Sequence, residues 1–289
     1  MSENRKEEGG ELDYFSQLWE SRAAGPVCHS PEIWDERAKR WIDNLNTEPG
    51  RSARADRIAA TAGRLRSCGL LGADDTVVDV GCGPGLFVLE FAKTVRRAVG
   101  IDYSGCFVEY GRALAAASGI ANAEFQQRDF LALDVEGERL AGAYDLVFSS
   151  LTPAATGMDS LSKLMKMCRG WCCNVTIVHA NDSLAEQVMR DVFDAELRTR
   201  WDGRGFYALL NLLWLSGYYP ETFYYDDIRN ETVVPSPRWA KKIASYCGKR
   251  EPDDIARIEK YLEKIGEAPR HSTSRYGAIL WNVNRKDRR

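Results

Sequence analysis

The stretch that decides the fold is Thr76-Val77-Val78-Asp79-Val80-Gly81-Cys82-Gly83-Pro84-Gly85. Its first five residues are rich in β-branched side chains, which favours a short strand, and the glycines after them favour a tight turn. The apolar residues from Leu86 to Thr94 then recur at helical spacing. A strand, a glycine-rich turn and a helix in this order predict the first unit of an α/β domain.

The same alternation continues along the chain. Further short apolar runs predict strands at Ala98 to Ile101, Glu124 to Gln127, Tyr144 to Ser149 and Trp171 to Val178. Helical spacing lies between them at Ser104 to Ala117 and Asp159 to Arg169. Strands that alternate with helices at this pitch form right-handed crossovers and a mostly parallel sheet covered on both faces. The sequence therefore predicts a doubly wound, Rossmann-like α/β fold.

Sequence on both sides of this core predicts additional elements. Helices are expected before it at Leu12 to Trp19, Pro31 to Leu45 and Arg51 to Cys68. After it we expect helical sequence at Leu184 to Leu215, helices at Pro237 to Cys247 and Pro252 to Ile265, and strands at Glu221 to Tyr225 and Tyr276 to Val283. These two strands complete a seven-stranded sheet. The predicted segments are N-terminal cap helices at 1–50, a cofactor-binding core at 51–180, a helical insertion or lid at 181–275, and a final strand and tail at 276–289.

Composition narrows the classes of partner. The 289 residues include 39 Lys and Arg against 42 Asp and Glu, a net charge of -3, so there is no overall basic field to attract a phosphate backbone. Nucleic acid is therefore not expected as a partner. The polar, acidic start of the chain lacks the apolar core of a signal peptide, and no apolar run approaches membrane-spanning length. These features predict a cytoplasmic protein with no membrane partner.

The cysteines point to packing and not to metal binding. None of the 8 cysteines forms a C-x-x-C pair, and Cys172 and Cys173 are adjacent on a predicted strand. Neighbours on a strand point to opposite faces and cannot grip one ion together. We therefore expect reduced, structural thiols and no metal site.

The glycine-rich turn also indicates a kind of ligand. A dinucleotide fingerprint requires a glycine at the sixth position counted from Gly81, where this chain has Leu86, and no phosphate-loop motif is present. The acid before the turn, Asp79, would repel a pyrophosphate but suits a cationic amino group. The turn alone therefore favours a nucleoside that carries an amino acid.

Two further acids follow the next strands. Asp102 ends the second strand, where doubly wound folds bind ligands, and a carboxylate there can accept both ribose hydroxyl protons. Asp129 follows the third strand beside Phe130, which offers a carboxylate for an exocyclic amine next to an aromatic face. Taken singly, the glycines could form an ordinary tight turn and the two acids could cap helices. Three acids at three successive strand ends make one shared ligand the better explanation.

With these residues the chain resembles the class I S-adenosylmethionine-dependent methyltransferases, particularly their small-molecule branch. The resemblance covers Thr76 to Val178. It implies that the acid-G-x-G-x-G loop wraps the methionine end of the cofactor, that Asp102 holds the ribose and that Asp129 holds the adenine amine. The implied cofactor-binding residues are Asp79, Gly81, Gly83, Gly85, Asp102, Tyr103, Asp129, Phe130 and Ser149, where Tyr103 and Phe130 flank the adenine and Ser149 touches the methionine. S-adenosylhomocysteine would be the product.

The resemblance implies methyl transfer from a sulfonium to a nucleophile, for which the protein mainly holds the reactants in line and excludes water. An alcohol or protonated amine would also need a general base. His179, after the predicted fifth strand, could serve, although a structural histidine is the simpler interpretation. The fourth strand ends Ser149-Ser150-Leu151-Thr152-Pro153 and departs from the Asp/Asn-Pro-Pro-aromatic loop of enzymes that methylate bases or glutamine amides.

Substrate choice is expected to lie outside the core, in the N-terminal helices and the insertion. Aromatic residues there could line a pocket for a planar or apolar substrate, or could pack the cap on the core. The candidates are Tyr14, Trp34, Tyr207, Trp214 and Tyr218, together with Trp41, Trp201 and Phe206.

The leading hypothesis is a methyltransferase that acts on a small molecule. The alternatives are a methyltransferase for protein or RNA, a non-catalytic module that binds the cofactor, and a nicotinamide oxidoreductase. The acceptor atom, the substrate and the oligomeric state stay open at this stage.

Overall fold

A computed structural model describes residues 2–21, 30–45, 48–198 and 202–286. The chain divides into two compact units. The first comprises Met1–Thr176, Arg204–Tyr225 and Gly277–Arg289, and the second comprises Ile177–Gly203 and Asp226–Tyr276.

The strands form a seven-stranded sheet with the order β3-β2-β1-β4-β5-β7-β6. Their bounds are β1 Thr76–Val80, β2 Arg97–Asp102, β3 Ala123–Gln127, β4 Tyr144–Ser150, β5 Cys168–Asp182, β6 Glu221–Val233 and β7 Ala268–Asn282. Strand β1 pairs in parallel with β2 on one side and with β4 on the other. The strands that follow β1 in sequence, β2 and β3, lie on one side of it, and β4 lies on the other. The boundary between β1 and β4 is therefore a topological switch point, where open α/β sheets bind ligands.

The described helices are α1 Ser2–Ser21, α2 Pro31–Leu45, α3 Glu48–Ser67, α4 Leu86–Ala92, α5 Gly105–Ala117, α6 Met158–Met167, α7 Ser183–Phe193, α8 Arg204–Leu215, α9 Pro237–Tyr246 and α10 Pro252–Ile265. The doubly wound, mostly parallel α/β fold predicted from the sequence is confirmed. Among the described residues, no helix is both long enough and apolar enough to cross a bilayer.

The core of the first unit includes the whole of β1, whose apolar residues are Val77, Val78 and Val80. All five of its residues are buried, because helices cover parallel strands on both faces. On one face the rings of Phe87, Phe91 and Phe148 form a cluster, with centroids 4.7 Å apart for Phe87 and Phe148 and 5.1 Å apart for Phe91 and Phe148. This packing fixes α4, and with it the glycine-rich turn that precedes it, against β4.

The second unit has a core of its own, in which α7, α9 and α10 contribute buried apolar residues such as Leu184, Ile243 and Leu262. Asp182 begins α7 by accepting a hydrogen bond of 3.1 Å from the N–H of Ala185. Its other oxygen accepts from Nε of Arg270 at 2.8 Å, and both side chains are almost fully buried. A paired charge of this kind orients α7 against β7 within the unit.

The three last strands are longer than the sequence pattern predicted. Strand β5 continues to Asp182, β6 continues to Val233 and β7 begins at Ala268. Their additional residues alternate or are polar, so they lack the continuous apolar run by which the core strands were recognised. Helix α1 likewise begins at Ser2, before its aromatic residues.

The compact units do not follow the predicted segment limits. Residues Arg204–Tyr225, which lie inside the predicted insertion at 181–275, belong to the first unit. Helix α8 packs there against α1, and the rings of Phe15 and Tyr207 meet edge to face at 5.5 Å. A lid role for either segment stays a prediction.

Candidate functional site

The glycine-rich turn follows β1 at the switch point. Gly81, Gly83 and Gly85 have φ angles of +70°, +53° and +77°, which favour glycine. A Cβ on Gly81 would lie 2.0 Å from Oγ1 of Thr152, and one on Gly85 would lie 2.1 Å from Cε1 of Phe125. A Cβ on Gly83 would have no described atom within 4 Å. Packing therefore requires the outer two glycines, whereas Gly83 borders open space that a ligand can occupy.

Asp102 joins the turn to the end of β2. Its Oδ2 accepts a hydrogen bond of 2.7 Å from the N–H of Gly83, and its Oδ1 accepts one of 2.9 Å from the N–H of Ser104. Burial raises the pKa of Asp102 above its ordinary value, although these backbone donors oppose the shift. The carboxylate is thus held in one orientation, with each oxygen keeping lone-pair capacity for hydroxyl donors.

Asp79 is a buried acid at this site with a hydrogen-bond acceptor that the described residues leave unsatisfied. The residue is 3% exposed, and its Oδ1 is buried without a hydrogen-bond partner among the described residues. Burial raises its pKa well above the ordinary range, and the charge of Asp102 adds to the increase. A buried oxygen of this kind costs free energy unless a donor reaches it. A donor from a ligand, preferably a cationic one, would remove this cost, since the described residues supply none to Oδ1 of Asp79.

Arg57 on α3 is a cation that sequence reasoning did not select. Its Nη1 donates a hydrogen bond of 3.3 Å to Oγ of Ser150, and its guanidinium lies 5.5 Å from the ring centroid of Phe87. It also lowers the pKa of Asp79, against the larger effect of burial. Because α3 contains several arginines, the sequence carried no signal to distinguish this one.

The predicted adenine-binding residues occupy different environments. Asp129 is exposed, and its Oδ1 accepts hydrogen bonds from the N–H groups of Leu131 at 2.9 Å and Ala132 at 3.4 Å. One oxygen therefore caps the local turn and the other is open to a ligand. Phe130 is 3% exposed, so little of its ring faces solvent, whereas Tyr103 is half-buried.

Ser149 and His179 lie on β4 and β5. Ser149 is 1% exposed, and its hydroxyl accepts a hydrogen bond of 2.9 Å from Nδ2 of Asn174 on β5. His179 was expected after the fifth strand; that position is wrong, because β5 runs through it to Asp182. Its side chain is exposed and it belongs to the second unit, whereas the glycine-rich turn belongs to the first. A catalytic role for His179 stays a prediction.

The predicted substrate aromatics fall into separate groups. Phe15 contacts both Tyr14 and Tyr207, with ring centroids at 5.1 Å and 5.5 Å. Trp214 contacts Tyr219 near the end of α8, where Tyr218 lines an open cavity of about 450 Å³. The ring of Trp34 on α2 lies 4.7 Å from the guanidinium of Arg37. Trp201 lies outside the described residues. Of the predicted substrate aromatics, Tyr14 and Tyr207 therefore lie close together, with the ring of Phe15 in contact with both.

Comparison with known proteins matches the region that contains this site. Residues 71–197 fit the family model described as a methyltransferase domain. Residues 71–197 therefore carry a methyltransferase domain. This domain includes the glycine-rich turn, Asp102 and Asp129.

The chain is also similar to curated proteins over a short stretch. It is 37% identical over 93 residues to 23S rRNA (uracil(1939)-C(5))-methyltransferase RlmD of Alcanivorax borkumensis, and the match covers 32% of this chain and 20% of that protein. A second match, to RlmD of Pseudomonas aeruginosa, is 44% identical over 57 residues and covers 20% of this chain and 13% of that protein. The chain therefore spans a fifth or less of the length of these relatives.

Among solved structures, magnesium protoporphyrin IX methyltransferase (ChlM) from Synechocystis PCC 6803 with bound SAH has a TM-score of 0.50 and 13% identity. The match covers 86% of this chain and 98% of that one. At this identity the likeness shows the methyltransferase fold alone.

Proposed function

We propose that the protein transfers the methyl group of S-adenosylmethionine to a small-molecule acceptor. The observation that carries the proposal is the unpartnered, buried Oδ1 of Asp79, which lies just before a glycine-rich turn whose central residue, Gly83, borders open space. The cofactor provides what this site lacks: an ammonium group for a buried carboxylate, on a nucleoside of a size that suits a doubly wound switch point.

The residues present fit the polar groups of the cofactor. Asp79 would accept from the ammonium group, and Arg57 would bind the carboxylate of the same methionine moiety. Asp102 would accept from the ribose hydroxyls, and the open oxygen of Asp129 would accept from the adenine amine. Ser149, which already accepts from Asn174, retains its hydroxyl proton for donation.

When bound, the cofactor supplies a methyl group on a positively charged sulfur, which an electron pair of the acceptor displaces. The chain holds the acceptor in line with that carbon and excludes water. Backbone donors already orient the carboxylate of Asp102 before binding, which reduces the reorganisation that binding would otherwise require. An acceptor that carries a proton must release it to a base, for which His179 stays the sequence-based candidate.

The charge distribution favours a small acceptor. Many arginines of the described residues are engaged by carboxylates, as in Arg97 with Glu124, Arg169 with Asp145 and Arg66 with Glu90. Pairing of this kind neutralises cations that would otherwise attract a phosphate backbone, and the chain as a whole carries a net charge of -3. Exposed aromatic residues such as Tyr207 and Trp214 suit a planar or apolar compound better than a polyanion.

An RNA acceptor is the second candidate. It is favoured by the similarity to RlmD, a methyltransferase that acts on 23S rRNA, within the limited region that matches. Its acceptor would be a base or ribose of a polyanion, so binding would weaken steeply as the salt concentration rises.

Calorimetric titration tests the cofactor part of the proposal. The purified protein is titrated with S-adenosylmethionine, S-adenosylhomocysteine and NADH, and the titrations are repeated with Asp102→Asn. We expect both sulfur nucleosides to bind, NADH to remain silent and the Asp102→Asn protein to lose most of its affinity. Binding of NADH alone, or of no nucleoside, would remove the basis of the proposal.

A methyl-transfer assay then separates the two acceptor classes. Protein and methyl-tritiated S-adenosylmethionine are incubated either with a cell extract depleted of macromolecules or with total RNA, and Asp102→Asn serves as the matched control. Label in the small-molecule extract supports the proposal. Label in RNA alone, lost at high salt and absent with the variant, replaces it with the RNA candidate.

A further inference from the structure

A carboxylate on the second N-terminal helix reaches the residue that supports Asp102. Oδ1 of Asp35 on α2 accepts a hydrogen bond of 2.5 Å from the hydroxyl of Ser104 and one of 3.2 Å from the N–H of Cys106. Asp35 and Ser104 are 69 residues apart in sequence. The contact therefore joins α2 to the first turn of α5, directly after the end of β2.

Ser104 links this carboxylate to the ribose site. Its N–H donates to Oδ1 of Asp102 at 2.9 Å, while its Oγ accepts from the N–H of Phe107 at 3.3 Å as the cap of α5. Ser104 is fully buried, so its donors and acceptor cannot turn to water instead. Ser104 therefore connects the carboxylate of Asp35 to that of Asp102 through two hydrogen bonds.

The rest of α2 holds Asp35 in place. The ring of Trp41 meets that of Phe107 on α5 edge to face, with centroids 6.5 Å apart, and the guanidinium of Arg54 on α3 lies 4.7 Å from the ring centroid of Trp41. The hydrogen bond from Ser104 also lowers the pKa of Asp35, so that Asp35 is a charged acceptor at neutral pH. Hydrogen bonds to charged groups are stronger than neutral ones.

We propose that Asp35 is a positioning residue for the cofactor, which acts through Ser104 to hold Asp102 in the orientation that receives the ribose hydroxyls. This inference rests on the proposed function, because it takes Asp102 as the ribose ligand. It assigns to α2 a task at the cofactor, in addition to the substrate role predicted for the N-terminal helices.

The test compares two ligands that differ only at the ribose. The Kd values of S-adenosylhomocysteine and of its 2′,3′-dideoxyribose analogue are measured by calorimetry for the wild-type protein, Asp35→Ala, Ser104→Ala and Asp102→Asn. We expect Asp35→Ala and Ser104→Ala to weaken S-adenosylhomocysteine about tenfold, the loss expected from one hydrogen bond to a charged group, and to leave the analogue within about twofold. A residue that merely stabilises α2 would weaken both ligands equally, and that result would overturn the assignment.

A control variant and a conservative variant complete the experiment. Glu36→Gln removes the neighbouring charge of α2, where Glu36 is exposed and makes no hydrogen bond or ion pair with a described residue, so both Kd values should match the wild type. If Asp35→Ala fails to fold, Asp35→Asn retains a weaker, neutral acceptor and the comparison of the two ligands is made with it. Failure of the proposed function is recognised separately: the wild-type protein would then not bind S-adenosylhomocysteine, or Asp102→Asn would bind it normally.

Discussion

The N–H of Gly83 donates a hydrogen bond of 2.7 Å to Oδ2 of Asp102. Other donors of the turn are also used within the protein, since the N–H groups of Gly81 and Cys82 bind the carbonyl of Ile101 and that of Gly85 binds the carbonyl of Cys82. A pyrophosphate would need such donors to point at its oxygens. The backbone of the turn therefore argues against a dinucleotide, in agreement with the absent sixth-position glycine.

Replacement of Gly83 should reduce cofactor affinity much more than it reduces the stability of the fold. A Cβ at this position meets no described atom within 4 Å, so Gly83→Ala should fold and lose only about 1–2 kcal/mol for its positive φ. The added methyl group would nevertheless project into the space assigned to the cofactor. We expect a fall in affinity for S-adenosylhomocysteine of more than about tenfold, measured by calorimetry beside a thermal melt.

Gly119→Ala is the matched control for Gly83→Ala. Gly119 also has a positive φ, +66°, and its Cβ would likewise meet no described atom within 4 Å, but it lies in the turn after α5. The Gly119→Ala protein should lose about as much stability as Gly83→Ala and keep its affinity for S-adenosylhomocysteine. Equal affinity in both variants would contradict the placement of the cofactor beside Gly83.

Asp79→Asn is expected to stabilise the ligand-free protein while it abolishes cofactor binding. The pKa of Asp79 is higher in the folded state than in the unfolded state. The free energy of unfolding therefore falls as the pH rises from the unfolded-state pKa towards the folded-state pKa. At neutral pH the neutral amide removes that penalty, roughly 1 kcal/mol or more. Urea unfolding at several pH values measures the gain, which should shrink in acid.

Asp145→Asn provides the opposite case. Although burial acts to raise the pKa of Asp145, hydrogen bonds from Arg169 at 2.7 Å and from the N–H of Thr76 at 2.8 Å hold it below its ordinary value. Its charge therefore stabilises the fold above that value, and the variant should be less stable at neutral pH. A gain in stability for Asp145→Asn would contradict the stabilising role assigned to the charge of Asp145.

Cofactor binding should release protons from Asp79. An ammonium group beside the carboxylate lowers the pKa that burial had raised, so the bound state holds fewer protons between the two values. Affinity for S-adenosylhomocysteine should accordingly increase as the pH rises through that interval. Titrations in two buffers of different ionisation enthalpy measure the protons released. Proton uptake, or a proton release that persists in Asp79→Asn, would assign the linkage to another group.

Loss of the buried ion pair should unfold the second unit readily. Asp182→Ala removes the cap of α7 and leaves Arg270 with Glu231 as its remaining carboxylate, which should cost about 3–5 kcal/mol. Asp226→Ala removes a half-buried partner of the exposed Arg275 and should cost less than about 1 kcal/mol. Urea unfolding of both variants makes the comparison. Similar losses would mean that burial does not govern the strength of these pairs.

Elements formed by interactions between neighbours in sequence were predicted, whereas those that depend on contacts between remote residues were not. Strand β1 was predicted with its observed bounds, because β-branched residues followed by a glycine-rich turn mark it in the sequence. The extensions of β5, β6 and β7 were not, because their polar residues become strands only where a neighbouring strand pairs with them. The site divides in the same way: Asp79 and Asp102 were found from their neighbours in sequence, whereas Arg57 and Ser150 meet across 93 residues.

The sequence by itself determined the order of strands and helices, the glycine-rich turn and the acids at the strand ends, because backbone preferences and the period of apolar residues are local properties. Only the tertiary structure decided which acid is buried without a partner, which one caps a turn and which cation stands near them. It left Oδ1 of Asp79 without a partner among the described residues, engaged one oxygen of Asp129 and placed Asp35 on Ser104. Burial and hydrogen bonding depend on distances between remote residues, and those distances exist only after the helices have packed on the sheet.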